Sequence, residues 1–515
     1  LLATKDDWAQ SVDDQGFNKY DVEAGHDFAE KVGLTPAEAA DAWSLIGKYH
    51  RQIDHRLLDV IRGTSNQIPE DILDKVPGGL KHFSGGSYGL VLRPSDIGLP
   101  FPTWRHHQIA PILALANTSK KVRALIAPTG SGKSLLATSL PLITGKNALI
   151  LTKNKSLQYQ YRDTIKLVAS VEGMANFHCW LDGFDELPVS DAPCREGYKC
   201  PIRPSCDYYV QRDIAARAKV AVTNYDYALT AMNADHPVTA GRYWLIADEG
   251  QHLDEKLTEA YSIEITPKQR TQMDIPDGLG DDHGRWRAWA KQVSPSWSHT
   301  LRVVESEMAI IQEGMGSDSE SPLNSTDPDS YKELGRRLKS TRASVKLLSQ
   351  LSAMTDDYII YRDDYKQSFR PLWISNQAKA FFAYWGQVML MSATLPRAPV
   401  LSRLYGIPED AIFEYEVPSV FPVEHRLIYV KPIAKMTRGT VDVSLPKIIP
   451  AIDRILAGYP DKKTLIHSHS NTLRDKIRGM ISSAHRSRLM WYDGPTRAQA
   501  IKAFTETKEP KVMIA

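Results

Sequence analysis

Long hydrophobic runs are missing from this sequence. No stretch approaches the roughly 20 apolar residues a helix needs to cross a bilayer, and the first residues show no charged-then-apolar leader pattern. That argues against a helical membrane protein and makes a cytoplasmic protein the expectation. Cysteine is scarce, with four thiols in 515 residues, which excludes a secreted fold stapled by many disulfides. An excess of one charge is also lacking: 63 Lys and Arg face 61 Asp and Glu, for a net charge of +2. Any surface for a polyanion must then be a local patch.

What is present is an ordinary globular composition, 42% hydrophobic and 24% charged, in a chain too long for one core, since single cores stop growing at roughly 250–300 residues. Residues 1–100 read as a helical accessory region. Thr35-Pro36 offers a cap and a first helical position, and the helical pattern that follows has no basic face. Asp21-Val22-Glu23 has a two-carboxylate spacing seen in nucleases, but no apolar strand precedes it. From Val122 the texture changes to short β-rich runs, VRALIA, ALILT (148–152), VAVTN (220–224), WLIAD (244–248) and VMLMS (388–392), the pattern of strands buried on both faces of a parallel sheet. A second series follows, HRLIYV (425–430), TLIHS (464–468), SRLMWY (487–492) and the terminal KVMIA.

The expected fold class is α/β, with two tandem domains at 101–261 plus 376–400 and at 401–515. Two insertions interrupt the first domain. One, 168–215, holds every cysteine. The other, 262–375, is helix-patterned, with Trp286, Trp289 and Trp297 near its start and an acidic, turn-rich loop at 313–330. The chain opens on Leu1-Leu2 rather than Met and closes in what reads as a strand cut short, so a fragment open at both ends is expected.

APTGSGKS (127–134) follows a strand and opens a helical pattern. In such a loop Thr129, Gly130, Ser131 and Gly132 let backbone N–H groups wrap a phosphate, Lys133 neutralises the β and γ phosphates of ATP, and Ser134 ligates Mg²⁺. WLIADEGQH (244–252) supplies the complement at another strand's end: Asp248 to hold Mg²⁺ and Glu249 to deprotonate the attacking water. Arg105-His106-His107-Gln108 lies about twenty residues upstream, where Gln108 is placed to read the adenine edge. Ser392-Ala393-Thr394 closes the VMLM strand and brings hydroxyls to the nucleotide.

The cysteines fall at Cys179, Cys194, Cys200 and Cys206, with fourteen, five and five residues between them. Four thiolates suit zinc or an iron–sulfur cluster, and the turn-forming Pro193, Pro201 and Pro204 favour a folded-back loop. The close cysteine pairs typical of zinc ribbons are absent, which leaves iron–sulfur slightly ahead.

In order, Arg105…Gln108, APTGSGKS, LTKNKSLQYQ (151–160), the four-cysteine insertion, VTNYDYAL (222–229), DEGQH, MSATLP (391–396) and TLIHSHS (464–470) resemble the DinG/XPD-like family of superfamily 2 helicases, over roughly residues 100–515. The resemblance implies a P-loop NTPase with two RecA-like motor domains. It also implies a 4Fe–4S cluster on the four cysteines, a helical arch at 262–375, and ATP-driven 5′→3′ movement on single-stranded DNA with unwinding at duplex junctions, by a monomer. By position, Thr152, Lys153, Gln158, Asn224, Tyr225, Ser468 and His469 are expected along the strand path, with Tyr225 stacking on bases, while Trp180 reads as core. Gln251 stands where the family usually has His and joins Lys133, Asp248 and Glu249 among the expected catalytic residues. The sixth motif and its arginine finger fall beyond the last residue, so the fragment is expected to bind ATP and scarcely hydrolyse it.

Overall fold

The computed structural model describes residues 21–30, 41–42, 45, 49, 93–232, 236–314, 328–363, 366–419 and 421–515. Most of the expected accessory region lies outside the described residues, as does most of the acidic loop; within 21–30, Val22–Glu30 is helical. The chain divides into two compact units, Leu1–Val420 and Phe421–Ala515.

The first unit is built on a parallel sheet of β1 (Val122–Ile126), β2 (Ala148–Thr152), β3 (Val168–Ser170), β4 (Val220–Asn224), β5 (Trp244–Asp248), β9 (Gln387–Ser392) and β10 (Ile412–Glu416). Its order is β10-β1-β9-β5-β2-β4-β3. Every residue of β1, β2 and β5 is buried, which is why these runs are unbroken rather than alternating. Successive side chains feed opposite faces: Val122, Ala124 and Ile126 join one core with Phe381, Phe382 and Trp385, while Leu125 and Ala127 join another with Leu136 and Leu140. Each fully buried aliphatic side chain contributes about 1.5–3 kcal/mol.

Arg123 is the charged exception inside β1, 3% exposed. Its guanidinium donates to the carbonyls of Leu115 (2.7 Å), Thr118 (2.7 Å) and Lys120 (2.8 Å) and lies 4.6 Å from the Trp244 ring centre. It thereby satisfies carbonyls at the end of the helix His106–Asn117, and burial pulls its pKa down only to about 10, so it stays charged.

Two expected boundaries shift. Val168–Ser170 is an edge strand of the sheet, paired with β4, so the cysteine insertion begins after it. IFEYE (412–416) pairs with β1 and belongs to the first unit, beyond the expected limit at 400. Its alternating pattern fits an edge strand, and its two glutamates accept hydrogen bonds from Arg397.

The cysteine segment is a string of 3₁₀ turns, among them Val189–Asp191, Pro193–Glu196 and Arg203–Ser205, two of them started by proline. Beyond it, the antiparallel strands β6 (Ile263–Ile265), β7 (Tyr358–Arg362) and β8 (Gln367–Pro371) flank two long helices, His283–Gly314 and Pro328–Ala353. Trp286, Trp289 and Leu348 pack with Phe369 of β8 at one end of this helix pair. Farther along, Val304, Met308, Tyr331 and Leu338 pack on Cys179, Leu181 and Phe184. The long helices thus share a core with the cysteine segment.

In the second unit β11 (Thr464–Ile466), β12 (Leu489–Met490) and β13 (Val512–Ile514) form a parallel sheet in the order β11-β13-β12. Helices Val441–Gly458 and Asn471–Met480 cover it through Leu445, Ile449, Leu473 and Ile477. HRLIYV (425–430) forms no strand, contrary to expectation. Among the described residues no strand pairs with it, and Leu427 to Val430 lie exposed.

Candidate functional site

The sheet order brings the motifs together. β1, β9 and β5 are neighbours, and at their carboxyl ends stand the phosphate-type loop, Ser392-Ala393-Thr394 and Asp248-Glu249. That edge of an open parallel sheet is where ligands bind, because chain reversals there leave a crevice. The loop leaves β1 with Ala127 N–H donating to Ser392 O (2.9 Å) and turns through Gly130 (φ 85°) and Gly132 (φ 86°) into the helix Lys133–Ile143. Positive φ at both glycines is the left-handed backbone that suits glycine. At this helix N-terminus, unpaired N–H groups and the Lys133 ammonium present positive charge. The Lys133 Nζ donates to Ala127 O at 3.3 Å.

Across the crevice Asp248 is 4% exposed. Its Oδ1 accepts from Glu249 N–H (3.0 Å) and its Oδ2 from the Tyr161 hydroxyl (3.0 Å). Burial lifts its pKa to about 6; the hydrogen bond from Tyr161 and the nearby Lys133 ammonium pull the other way. Glu249 takes a left-handed conformation (φ 53°) that L side chains rarely adopt, held where β5 turns abruptly into Gly250–His252. Gly250 packs closely there: a Cβ would meet Leu390 Cβ and Met391 N at 3.2 Å, a tight contact. Gln251 Nε2 donates to Glu249 Oε2 at 2.9 Å, so the neutral amide steadies the carboxylate. Ser392 Oγ accepts from Thr394 N–H at 3.0 Å and closes the turn after β9.

Gln108 is placed differently from its expected adenine-reading role. It is 2% exposed, its Nε2 donates to Ser131 O (3.3 Å) and its Oε1 accepts from Arg105 N–H (3.0 Å). His107 reaches the same Ser131 carbonyl at 3.1 Å. Both amide ends are committed, so here Gln108 braces the loop from behind. Arg105 is exposed at the start of the same helix.

Several expected strand-path residues are internal. Tyr225 is 1% exposed and donates to Asp248 O (2.9 Å), so stacking on a base is ruled out in this arrangement. Gln158 is fully buried, donating to Ser170 Oγ and Val171 O, both at 2.8 Å. Thr152 is buried, and Asn224 caps the next helix by accepting from Tyr227 N–H (2.8 Å). Lys153 is exposed and meets His252 at 3.0 Å. In the second unit His469 is exposed, whereas Ser468 donates to Ala515 O at 2.9 Å. Trp180, expected in the core, is 63% exposed with its indole N–H on Asp207 (3.1 Å). Tyr161 was not foreseen, since nothing in LQYQYRD marks a residue that reaches Asp248 across 87 positions.

All four cysteines are free, Cys179 and Cys206 buried and the other two half-buried. Burial pushes the Cys179 and Cys200 thiols up, and the charges of their sister cysteines add to this, so the four sit within electrostatic reach of one another. Tyr209 O–H donates to Cys194 Sγ at 3.6 Å. Among the described residues no three His, Cys, Asp or Glu side chains are drawn close enough to form a metal-ion site.

No family model and no curated protein matches the sequence. Solved structures similar to it include an XPD helicase (15% identity, 81% of this chain and 80% of that one, TM-score 0.47) and Xpd4 of S. tokodaii (14%, 77% and 76%, 0.40). A DEAD box protein from the hyperthermophile Methanococcus jannaschii is also similar (13%, 84% and 79%, 0.27). No helix among the described residues is long and apolar enough to cross a membrane.

Proposed function

We propose that this protein is an ATP-dependent DNA helicase of the DinG/XPD type, moving 5′→3′ on single-stranded DNA and parting duplex at junctions. One observation carries the reading: the strand order sets the glycine loop with Lys133, the Ser392–Thr394 turn and the Asp248-Glu249 pair side by side, although the first and last are more than a hundred residues apart in sequence. A phosphate cradle facing a carboxylate pair, Asp248 buried and Glu249 half-buried, is what phosphoryl transfer to water needs.

In this reading the loop N–H groups and Lys133 grip the β and γ phosphates, and Ser134 and Asp248 would hold Mg²⁺. When bound, the metal ion neutralises phosphate charge as the terminal bond breaks. Glu249, steadied by Gln251, orients the attacking water and accepts its proton. Four free thiols are the donor set a 4Fe–4S cluster takes, and in this reading Cys179, Cys194, Cys200 and Cys206 would be its ligands. Such a cluster would lock the string of short turns against the long helices. Lys153 and His469 remain the exposed candidates for contact with the strand, and phosphate contacts would give affinity with steep salt dependence.

Strand displacement by the full-length protein tests this reading. A 5′-tailed duplex should open and a 3′-tailed one should not; ATP hydrolysis with neither opened would instead favour a translocase that remodels complexes. Anaerobically purified protein should contain iron and sulfide, and stoichiometric zinc in their place would sink the cluster assignment.

A further inference from the structure

A buried side chain that holds Asp248 belongs to neither motif. Tyr161 sits on the helix Lys155–Thr164, 1% exposed, with its ring in the apolar core beneath the P-loop helix beside Leu136 and Ile150. Its hydroxyl donates to Asp248 Oδ2 at 3.0 Å. The direction of this bond follows from chemistry: an ionised carboxylate only accepts, so the phenol proton points at Asp248.

That bond has a consequence for the carboxylate. Asp248 Oδ2 acquires a fixed donor, and with Oδ1 held by Glu249 N–H the carboxylate plane cannot turn. A hydrophobic residue in place of Tyr161 would fill the core equally well, so packing alone does not account for a hydroxyl buried here.

We infer that Tyr161 is a positioning residue for the magnesium ion, its hydroxyl setting the orientation of the Asp248 carboxylate. This inference rests on the proposed nucleotide site, and its test separates the two. A fluorescent ATP analogue is titrated into wild type and Tyr161→Phe, once with excess EDTA and once with Mg²⁺, with thermal unfolding as a check on the fold. In wild type, magnesium should tighten binding. Tyr161→Phe should keep the metal-free affinity and lose about tenfold or more of the magnesium-dependent gain, the effect expected of one hydrogen bond to a charged group. In an Asp248→Asn background, adding Tyr161→Phe should change the magnesium dependence little, because the charged carboxylate that the hydroxyl orients is already gone.

An unchanged magnesium dependence in Tyr161→Phe overturns the inference alone. Equal losses with and without magnesium also overturn it, by showing that the residue only supports the fold. Additive effects in the Asp248→Asn background do the same, since Tyr161 would then act elsewhere. Absence of any nucleotide binding by well-folded wild type removes the site reading itself. Manganese bound in the presence of ATP, followed by electron paramagnetic resonance, gives a second readout that does not depend on turnover.

Discussion

Replacing Gly132 by alanine probes the shape of the phosphate loop and its brace in one experiment. The residue stands at φ 86°, and an added Cβ would lie 2.3 Å from Gln108 Nε2. Two effects follow, and they can be separated. Left-handed backbone costs an alanine about 1–2 kcal/mol wherever it occurs. Relieving the clash also requires Gln108 to leave a 2% exposed pocket in which it donates to Ser131 O and accepts from Arg105 N–H. Losing those two bonds costs about 2 kcal/mol at roughly 1 kcal/mol net each. Gly132→Ala should therefore destabilise the wild type by about 3–4 kcal/mol, but a Gln108→Ala protein by only about 1–2 kcal/mol, because the obstructing amide is gone. Urea unfolding of the four proteins of this cycle, without nucleotide, measures the coupling, expected near 2 kcal/mol. A coupling below about 0.5 kcal/mol, the range of independent sites, would refute the placement of Gln108 behind the loop.

Further outcomes follow from the same geometry. In EDTA, the folded chain holds the Asp248 proton more tightly than the unfolded chain does, with pKa about 6 against 3.8. The resulting stabilisation is complete below 3.8 and lost as pH rises through about 6, roughly 3 kcal/mol in all. Asp248→Asn should then gain stability relative to wild type between pH 4 and pH 8, and a pH-independent difference in urea midpoints would contradict this. Gln251→Ala should lower kcat for ATP about tenfold or more with little change in KM, since only the steadying of Glu249 is removed; a raised KM at unchanged kcat would point to binding instead. Arg123→Ala should destabilise the first unit by at least about 3 kcal/mol by leaving three carbonyls without their donor, read from its urea midpoint, and a loss under about 1 kcal/mol would show those carbonyls to be satisfied otherwise. Cys194→Ala should increase protease cleavage within 171–206 and impair unwinding more than ATP binding; equal losses of both would tie the segment to the nucleotide crevice instead.

The central strands were legible because each is a short unbroken apolar run, and the loop between β1 and its helix because APTGSGKS carries its own geometry in two glycines. The edge strands were not. Val168–Ser170 is three residues long, and IFEYE alternates with charge, so neither carries the signature of a strand buried on both faces. HRLIYV shows the converse: β propensity does not make a strand when no neighbour pairs with it. Within the site, Asp248 and Glu249 could be read from a strand end, but the roles of Gln108, Tyr225 and Gln158 turned on which way each side chain faces. Tyr225 occupies a motif position expected on the strand path, yet its hydroxyl anchors Asp248 O from inside. Tyr161 was invisible because its partnership with Asp248 is made by the crossover between β2 and the rest of the sheet, not by spacing along the chain.

The central claim is that the loop and the carboxylate pair form a motor driven by nucleic acid. ATP hydrolysis by the full-length protein, measured with and without single-stranded DNA for wild type and Lys133→Ala, tests it most directly. The account predicts that DNA stimulates hydrolysis and that Lys133→Ala abolishes the stimulated rate while the protein stays folded. Stimulated hydrolysis that survives in Lys133→Ala would contradict it.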